Sequence, residues 1–225
     1  MMYLPHQRHS SIMRDRESLN QKEPWPFSFA LRPFCSAKPA VVGRYLHLDE
    51  QFTPDRPNAV WCSDITYIWT TDGFVYLTSI MDLFSRKIIA WTLSQTLEVS
   101  SVIHTINKAK ARRNTKLPLI IHSDRGSQYV SQAYREATAK MQRSYSKKAF
   151  PWDNACIESF HALIKREWLN RFKIRDYQQA YRLIFEYIEA FYNTKRIHSH
   201  CDYMSPDDFE KLYEQTQTNE LLLVS

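Results

Sequence analysis

The chain has 225 residues, 44% of them hydrophobic, and 30 lysines and arginines against 24 aspartates and glutamates give it a net charge of +6. Its length suits one domain of ordinary size with an appendage. No apolar run approaches the roughly 20 residues that cross a bilayer, and no signal peptide is visible, so we expect neither a membrane protein nor a secreted one. The basic excess favours a polyanionic partner without identifying it.

Residues 1–51 differ from the rest of the chain. Prolines at positions 24, 26, 33 and 39 interrupt any helix, and neither a helical nor a strand period persists. We therefore predict a poorly ordered arm or the remnant of another domain, then a core over residues 52–212 and a tail over residues 213–225.

The core is predicted to begin with an antiparallel meander of three strands, over residues 60–69, 74–81 and 87–93. In the first strand Trp61 and Ile65 share one parity and Asp64 has the other, so we expect Asp64 to point away from the most apolar face. The Asp-Gly pair at positions 72–73 is the strongest short signal for a hairpin turn.

A helix over residues 99–112 and a short buried strand over residues 117–121 follow. Asp124 lies just past the end of that strand, where open α/β sheets place their ligands. Ser131 is predicted to cap a helix that runs to about residue 140.

A loop over residues 147–152 leads to a helix capped by Asp153 or Asn154. On that helix Glu158 and Lys165 share a stripe beside the apolar arc, and Glu167 falls inside the arc without an evident reason. A further helix is predicted over residues 176–192.

Three carboxylates therefore come from three separate segments: Asp64, Asp124 and Glu158. Such a set can hold divalent metal ions, and paired metals cut and join phosphodiesters. Each residue also has a simpler interpretation, because Asp64 can be a hydrogen-bonded structural acid, Asp124 can cap a turn, and Glu158 can be a surface residue paired with Lys165.

Four motifs carry a resemblance to a known family. They are DITYI around Asp64, HSDRGSQY around Asp124, PWDNACIESFHALIKRE around Glu158, and FYNTKRIHSHCDYMSPDDFE over residues 191–210. Together they resemble the DDE transposases of bacterial insertion sequences, in the branch whose second reading frame encodes an integrase catalytic core. The likeness runs from residue 52 to residue 212.

The resemblance implies an RNase H-like α/β fold, in which helices flank a mixed sheet of three antiparallel strands plus parallel strands. Asp64, Asp124 and Glu158 would be both catalytic residues and ligands of two Mg²⁺ or Mn²⁺ ions. The activity would be DNA strand cleavage followed by strand transfer, in the bacterial cytoplasm at the nucleoid. The partners would be transposon ends and target DNA, other copies of the chain, and the product of an upstream reading frame.

Further residues in or near these motifs are predicted to contact DNA, mainly at its phosphates. They are Lys165, Lys147, Lys148, Arg125, Gln128 and Asn154. For Gln128 and Asn154 the alternative is that each side chain satisfies nearby backbone groups.

Two features depart from the family pattern. The 33 residues between Asp124 and Glu158 are fewer than in most of the family, and residues 1–50 do not resemble a helix-turn-helix region. Two other functions therefore remain open: a plain nuclease such as a ribonuclease H or junction resolvase, and a truncated, non-catalytic DNA-binding regulator.

Overall fold

The computed structural model describes residues 53–146 and 154–224, which form one five-stranded sheet with helices packed on it. The strands are β1 (Val60–Thr70), β2 (Gly73–Asp82), β3 (Ile88–Ser94), β4 (Ile120–Ser123) and β5 (Gln142–Tyr145). The α-helices are α1 (Val99–Arg112), α2 (Gln132–Ala137), α3 (Ala155–Glu167), α4 (Tyr177–Tyr187) and α5 (Pro206–Val224). The predicted arm, the loop over residues 147–152 and Asp153 lie outside the described residues.

The sheet has the strand order β3-β2-β1-β4-β5. β1, β2 and β3 pair antiparallel, whereas β4 pairs parallel with both β1 and β5. The α/β fold with a mixed sheet is thereby confirmed. The predicted hairpin is also present, since the β1–β2 ladder ends at the pair Thr70–Gly73. In its turn Gly73 has a φ of +120°, which favours glycine, and Thr70 Oγ1 donates a 2.7 Å hydrogen bond to the Gly73 carbonyl.

β1 has a strand on both sides over only part of its length. Its parallel ladder with β4 covers Val60 to Ser63, while its antiparallel ladder with β2 continues to the pair Thr70–Gly73. Within the described part of the chain, β1 from Asp64 onward therefore has a strand neighbour on one side only. This open edge lies directly beside Asp64.

Helices cover both faces of the sheet. On one face α3 and α4 enclose a core that contains Cys62 and Ile68 of β1. On the other face α1 and α2 cover Trp61 of β1 and Ile121 of β4. Tyr134 of α2 is buried in this second core, and Ser131 accepts a hydrogen bond from its backbone N–H, which confirms Ser131 as the cap of α2.

As its parity predicts, Asp64 points to the opposite face of the sheet from Trp61 and Ile65, but that face is also covered. Asp64 has the parity of Cys62 and Ile68, which are buried under α3 and α4, so it lies on a core face of the sheet. The face of β1 with the more apolar residues is only partly covered, because Tyr67 and Trp69 on it are 61% and 62% exposed. Counting apolar residues missed this, because the helices α1 and α2 cover only the early part of that face.

Several element boundaries also differ from the predictions. β4 lies later than the predicted strand over residues 117–121, because its pairing with β1 fixes its position. α2 ends at Ala137 rather than near residue 140, since the chain turns there to reach β5, which was not predicted. The helix predicted over residues 176–192 is α4 continued by a π-helical segment, Ile188–Tyr192. α5 crosses position 213, where the predicted tail begins.

None of the helices in the described ranges combines the length and the apolarity that crossing a membrane requires.

Candidate active site

Three segments of the chain place carboxylates close enough to act on one another. Asp64 lies in the middle of β1, Asp124 directly follows β4, and Glu158 lies in the first turn of α3. Burial raises the pKa of Glu158, and the negative charges of Asp64 and Asp124 raise it further. Burial likewise raises the pKa of Asp124, and Asp64 adds to that rise. The three carboxylates are thus close enough for their negative charges to repel one another.

The loop after β4 fixes the position of Asp124. Its Oδ1 accepts a 2.9 Å hydrogen bond from the backbone N–H of Gly126, which lowers the pKa of Asp124 and offsets part of the effect of burial. A Cβ at Gly126 would lie 3.0 Å from that same Oδ1, so only glycine lets the loop approach the carboxylate without displacing it. Asp124 therefore does form the turn contact that its simpler interpretation describes.

His161 of α3 contacts Asp64 and was not singled out from the sequence. Its Nδ1 lies 3.3 Å from Asp64 Oδ2, and its Nε2 lies 3.3 Å from Ser79 Oγ, opposite Asp64 in the β1–β2 ladder. The side chain of His161 is only 6% exposed. A signal was present in the sequence, because His161 follows the buried Ile157 by four residues and so lies on the packed side of the helix.

Lys165 reaches back from α3 to the open edge of β1. Its Nζ donates a 2.7 Å hydrogen bond to Thr66 Oγ1 and lies 4.7 Å from the centre of the Tyr67 ring. Burial lowers the pKa of Lys165, and the negative charge of Asp64 opposes that effect. The predicted stripe of Glu158 and Lys165 thus faces the edge of β1 beside Asp64.

The other predicted DNA contacts differ in how accessible they are. Arg125 is exposed and its Nε donates to the Ser146 carbonyl, while Gln128 donates a 3.4 Å hydrogen bond to a backbone carbonyl. Asn154 is 3% exposed, accepts a hydrogen bond from the Cys62 thiol, and makes no side-chain capping bond to α3. Asn154 is thus buried and bound to a side chain rather than to the nearby backbone groups of its alternative interpretation, and its DNA contact stays a prediction. Lys147 and Lys148 lie outside the described residues.

Among residues 53–146 and 154–224, no three His, Cys, Asp or Glu side chains come together as a ready-made metal site. Convergence of the three carboxyl groups on shared metal ions accordingly stays a prediction.

Two family models match the chain, and both describe an integrase core domain. One matches residues 54–149 and the other residues 139–206. The transposase for insertion sequence element IS904 of Lactococcus lactis subsp. lactis (strain IL1403) is 41% identical over 176 residues, which cover 77% of this chain and 70% of that protein. The chain belongs to this family of integrase-core transposases.

A second relative of this transposase family is InsF of insertion sequence IS3A from Escherichia coli (strain K12). It is 36% identical over 167 residues, which cover 72% of this chain and 57% of InsF. The chain therefore spans little more than half the length of that relative.

Solved structures agree on the RNase H-like fold of the transposase core. The HTLV-2 integrase catalytic core domain in complex with magnesium, in its trimeric form, aligns with a TM-score of 0.53 at 16% identity and covers 69% of this chain and 98% of that one. A chain of the simian T-cell lymphotropic virus intasome in complex with PP2A regulatory subunit B56 gamma aligns with a TM-score of 0.57 at 17% identity, covering 70% and 56%.

The C-terminal signature of the transposase holds the core together. The Asn193 side chain accepts a hydrogen bond from the Ile88 N–H and donates one to the Ile88 carbonyl, both at 3.0 Å, and so binds β3 as another strand would. Arg196 donates two hydrogen bonds, of 2.9 and 2.8 Å, to the carboxylate of Glu167. These bonds lower the pKa of Glu167 and account for an acid inside the apolar arc of α3.

Proposed function

We propose that the protein is a transposase that cuts and rejoins the DNA of an insertion sequence, with Asp64, Asp124 and Glu158 as its catalytic carboxylates. The observation that carries this proposal is the charge coupling among the three acids, which come from β1, the loop after β4 and α3. Repulsion of this kind lowers stability unless a cation relieves it. In a chain of this family, that arrangement favours a catalytic site over a structural one.

The donor set fits divalent metal ions. Three carboxylates offer hard oxygen ligands, and burial, together with the negative charge of Asp64, raises the pKa values of Asp124 and Glu158. Two Mg²⁺ or Mn²⁺ ions held by these residues would activate the attacking oxygen and neutralise the leaving one. The magnesium named for the HTLV-2 integrase core is of the same kind.

The neighbouring side chains have distinct roles in this proposal. His161 is a positioning residue, because its ring N–H can donate to Asp64 Oδ2 while Ser79 holds the opposite ring nitrogen. Lys165 and Arg125 would bind phosphates of the DNA, and Gln128 would support the Asp124 loop.

The reaction has two transfers. Water first displaces the 3′ oxygen of a phosphodiester at the element end, and the freed 3′-hydroxyl then attacks a phosphodiester of the target and displaces its 3′ oxygen. Neither transfer requires a covalent bond to the protein. Acting on two ends and one target calls for several copies of the chain, and the product of an upstream reading frame is a further candidate partner.

A strand-transfer assay tests the proposal. The full chain is incubated with a labelled duplex of the element's terminal repeat, a plasmid target and Mg²⁺ or Mn²⁺, with and without the upstream-frame product. We expect nicked duplex and, in addition, label joined to the plasmid. Nicking without joining would favour the plain nuclease, and binding without nicking in all mixtures would favour the non-catalytic regulator.

Replacing His161 by alanine should reduce nicking roughly 10- to 100-fold and raise the Mg²⁺ concentration for half-maximal rate, because Asp64 loses the partner that orients it. His161→Asn keeps an N–H donor and should recover part of the activity. The thermal midpoint of each variant is measured in parallel. Equal metal dependence in the wild type and His161→Ala would show that His161 serves packing alone.

Replacing Lys165 by alanine should weaken binding to the element end and flatten its salt dependence by about one unit of slope, as expected for one lost phosphate contact. Lys116→Ala removes an exposed lysine of the α1–β4 connection and serves as the matched control. Binding is measured by anisotropy across a salt series. Parallel slopes for the two variants would assign Lys165 to the fold rather than to DNA.

A further inference from the structure

Three aromatic side chains form an exposed cluster at the end of the β1–β2 hairpin. Tyr67, Trp69 and Phe74, here called the hairpin cluster, are 61%, 62% and 48% exposed. Phe74 pairs with Trp69 across the ladder, and its ring lies 4.8 Å from that of Trp69 and 5.4 Å from that of Tyr67, edge-on to both. Contiguous exposed apolar surface of this kind marks a site of interaction.

The hairpin cluster adjoins the carboxylates through Lys165. The open edge of β1 lets Lys165 hydrogen-bond to Thr66 and place its ammonium 4.7 Å from the Tyr67 ring. Tyr67 is three residues from Asp64 on the same strand, about 10 Å at the usual rise. Asp64 and Tyr67 point to opposite faces of the sheet, and Lys165 contacts Thr66 on one side of the open edge and the Tyr67 ring on the other. A polymer that leaves the carboxylates around this edge would therefore meet the cation and then the aromatic rings.

The surroundings of the hairpin cluster carry more cations than carboxylates, with Asp72 in the turn itself. The turn of the hairpin is bound to the segment after α3, because Thr71 N–H donates to the Ile174 carbonyl at 3.0 Å and Asp72 N–H to the Arg175 carbonyl at 3.1 Å. That segment also carries exposed Arg171 and Lys173. Aromatic rings beside cations match the chemistry of single-stranded nucleic acid, which offers flat bases and negative phosphates together.

Building on the proposed function, we propose that Trp69 is a stacking platform for an unpaired nucleobase of the DNA substrate, with Lys165 on a neighbouring phosphate. The three rings are not equivalent in this respect. Lys165 lies over the Tyr67 ring and Phe74 is the least exposed of the three, so Trp69, which is 62% exposed, is the ring with a face left for a base. Bases inside a duplex are already stacked, and the site therefore selects DNA that is unpaired near the cut.

Binding without divalent metal, in EDTA, tests the proposal separately from catalysis. The full chain is titrated into labelled oligothymidine and into an abasic strand of equal length, which has the same phosphates and no bases. Trp69→Ala should weaken oligothymidine binding roughly tenfold and leave abasic binding unchanged, while Trp69→Phe keeps most of the affinity. Phe185→Ala, on an α4 residue that is 49% exposed, is the matched control and should change neither.

Three other results of these measurements overturn the proposal. If Trp69→Ala loses affinity equally for oligothymidine and for the abasic strand, Trp69 positions the neighbouring cations or stabilises the fold rather than stacking on a base. If it loses affinity for neither strand, Trp69 has no role in DNA binding. Unchanged binding with a change of sedimentation in Trp69→Ala would identify the hairpin cluster as a contact between copies of the chain. The two proposals can fail separately. If Trp69→Ala loses affinity only for the strand with bases but the wild type performs no strand transfer, the stacking site is supported and the proposed function is rejected. If the wild type performs strand transfer but Trp69→Ala shows no such loss, the proposed function is supported and the stacking site is rejected.

Discussion

Replacing Asp64 by asparagine is expected to lower nicking and strand transfer on the order of 10³-fold, while the protein stays folded and binds DNA. Asp64 is the acid to which both other carboxylates are coupled, so its loss removes the shared charge of the site. The amide keeps an oxygen that can accept from His161, and the shape of β1 is unchanged. Initial rates in Mg²⁺ and in Mn²⁺ measure the effect.

Stability gives this variant an internal check. Asp64 raises the pKa values of Asp124 and Glu158, so a neutral residue at position 64 relieves repulsion in the folded state at pH 7. The thermal midpoint should consequently stay level or rise. Asp55→Asn, at an exposed site before β1, is the matched control for loss of one charge. An Asp64→Asn protein that cuts DNA at the wild-type rate would remove Asp64 from the site.

Local sequence pattern predicted the β1–β2 hairpin of the meander because both strands and the turn between them carry their own signals. β1 alternates, β2 is almost continuously apolar, and Gly73 marks the turn between them. β5 has no such signal, since its sequence Gln-Arg-Ser-Tyr is mostly polar and its place is fixed by the parallel ladder with β4. A strand that forms only because it pairs with a neighbouring strand cannot be predicted from its own few residues.

The same distinction separates the parts of the candidate site. The motifs placed Asp64, Asp124 and Glu158 on the elements where the structure has them. The side-chain contacts of α3 with β1 were not predictable, because His161 and Lys165 are almost a hundred residues from the strand they contact. Glu167 is a similar case, since nothing near it in sequence identifies Arg196 as its partner. Periodicity shows which side of a helix is packed but not which strand or loop packs against it.

Replacing Asn193 by leucine is expected to lower the free energy of unfolding by about 3 kcal/mol. Asn193 is 3% exposed and satisfies both the N–H and the carbonyl of Ile88, so an apolar side chain leaves two buried backbone groups without these partners, at about 1–3 kcal/mol each. Asn170→Leu, at an exposed position after α3, is the control and should change stability by less than about 0.5 kcal/mol. Urea unfolding followed by circular dichroism measures both. If the two variants unfold at the same urea concentration, the bonds to Ile88 do not hold β3, and the C-terminal signature needs another explanation.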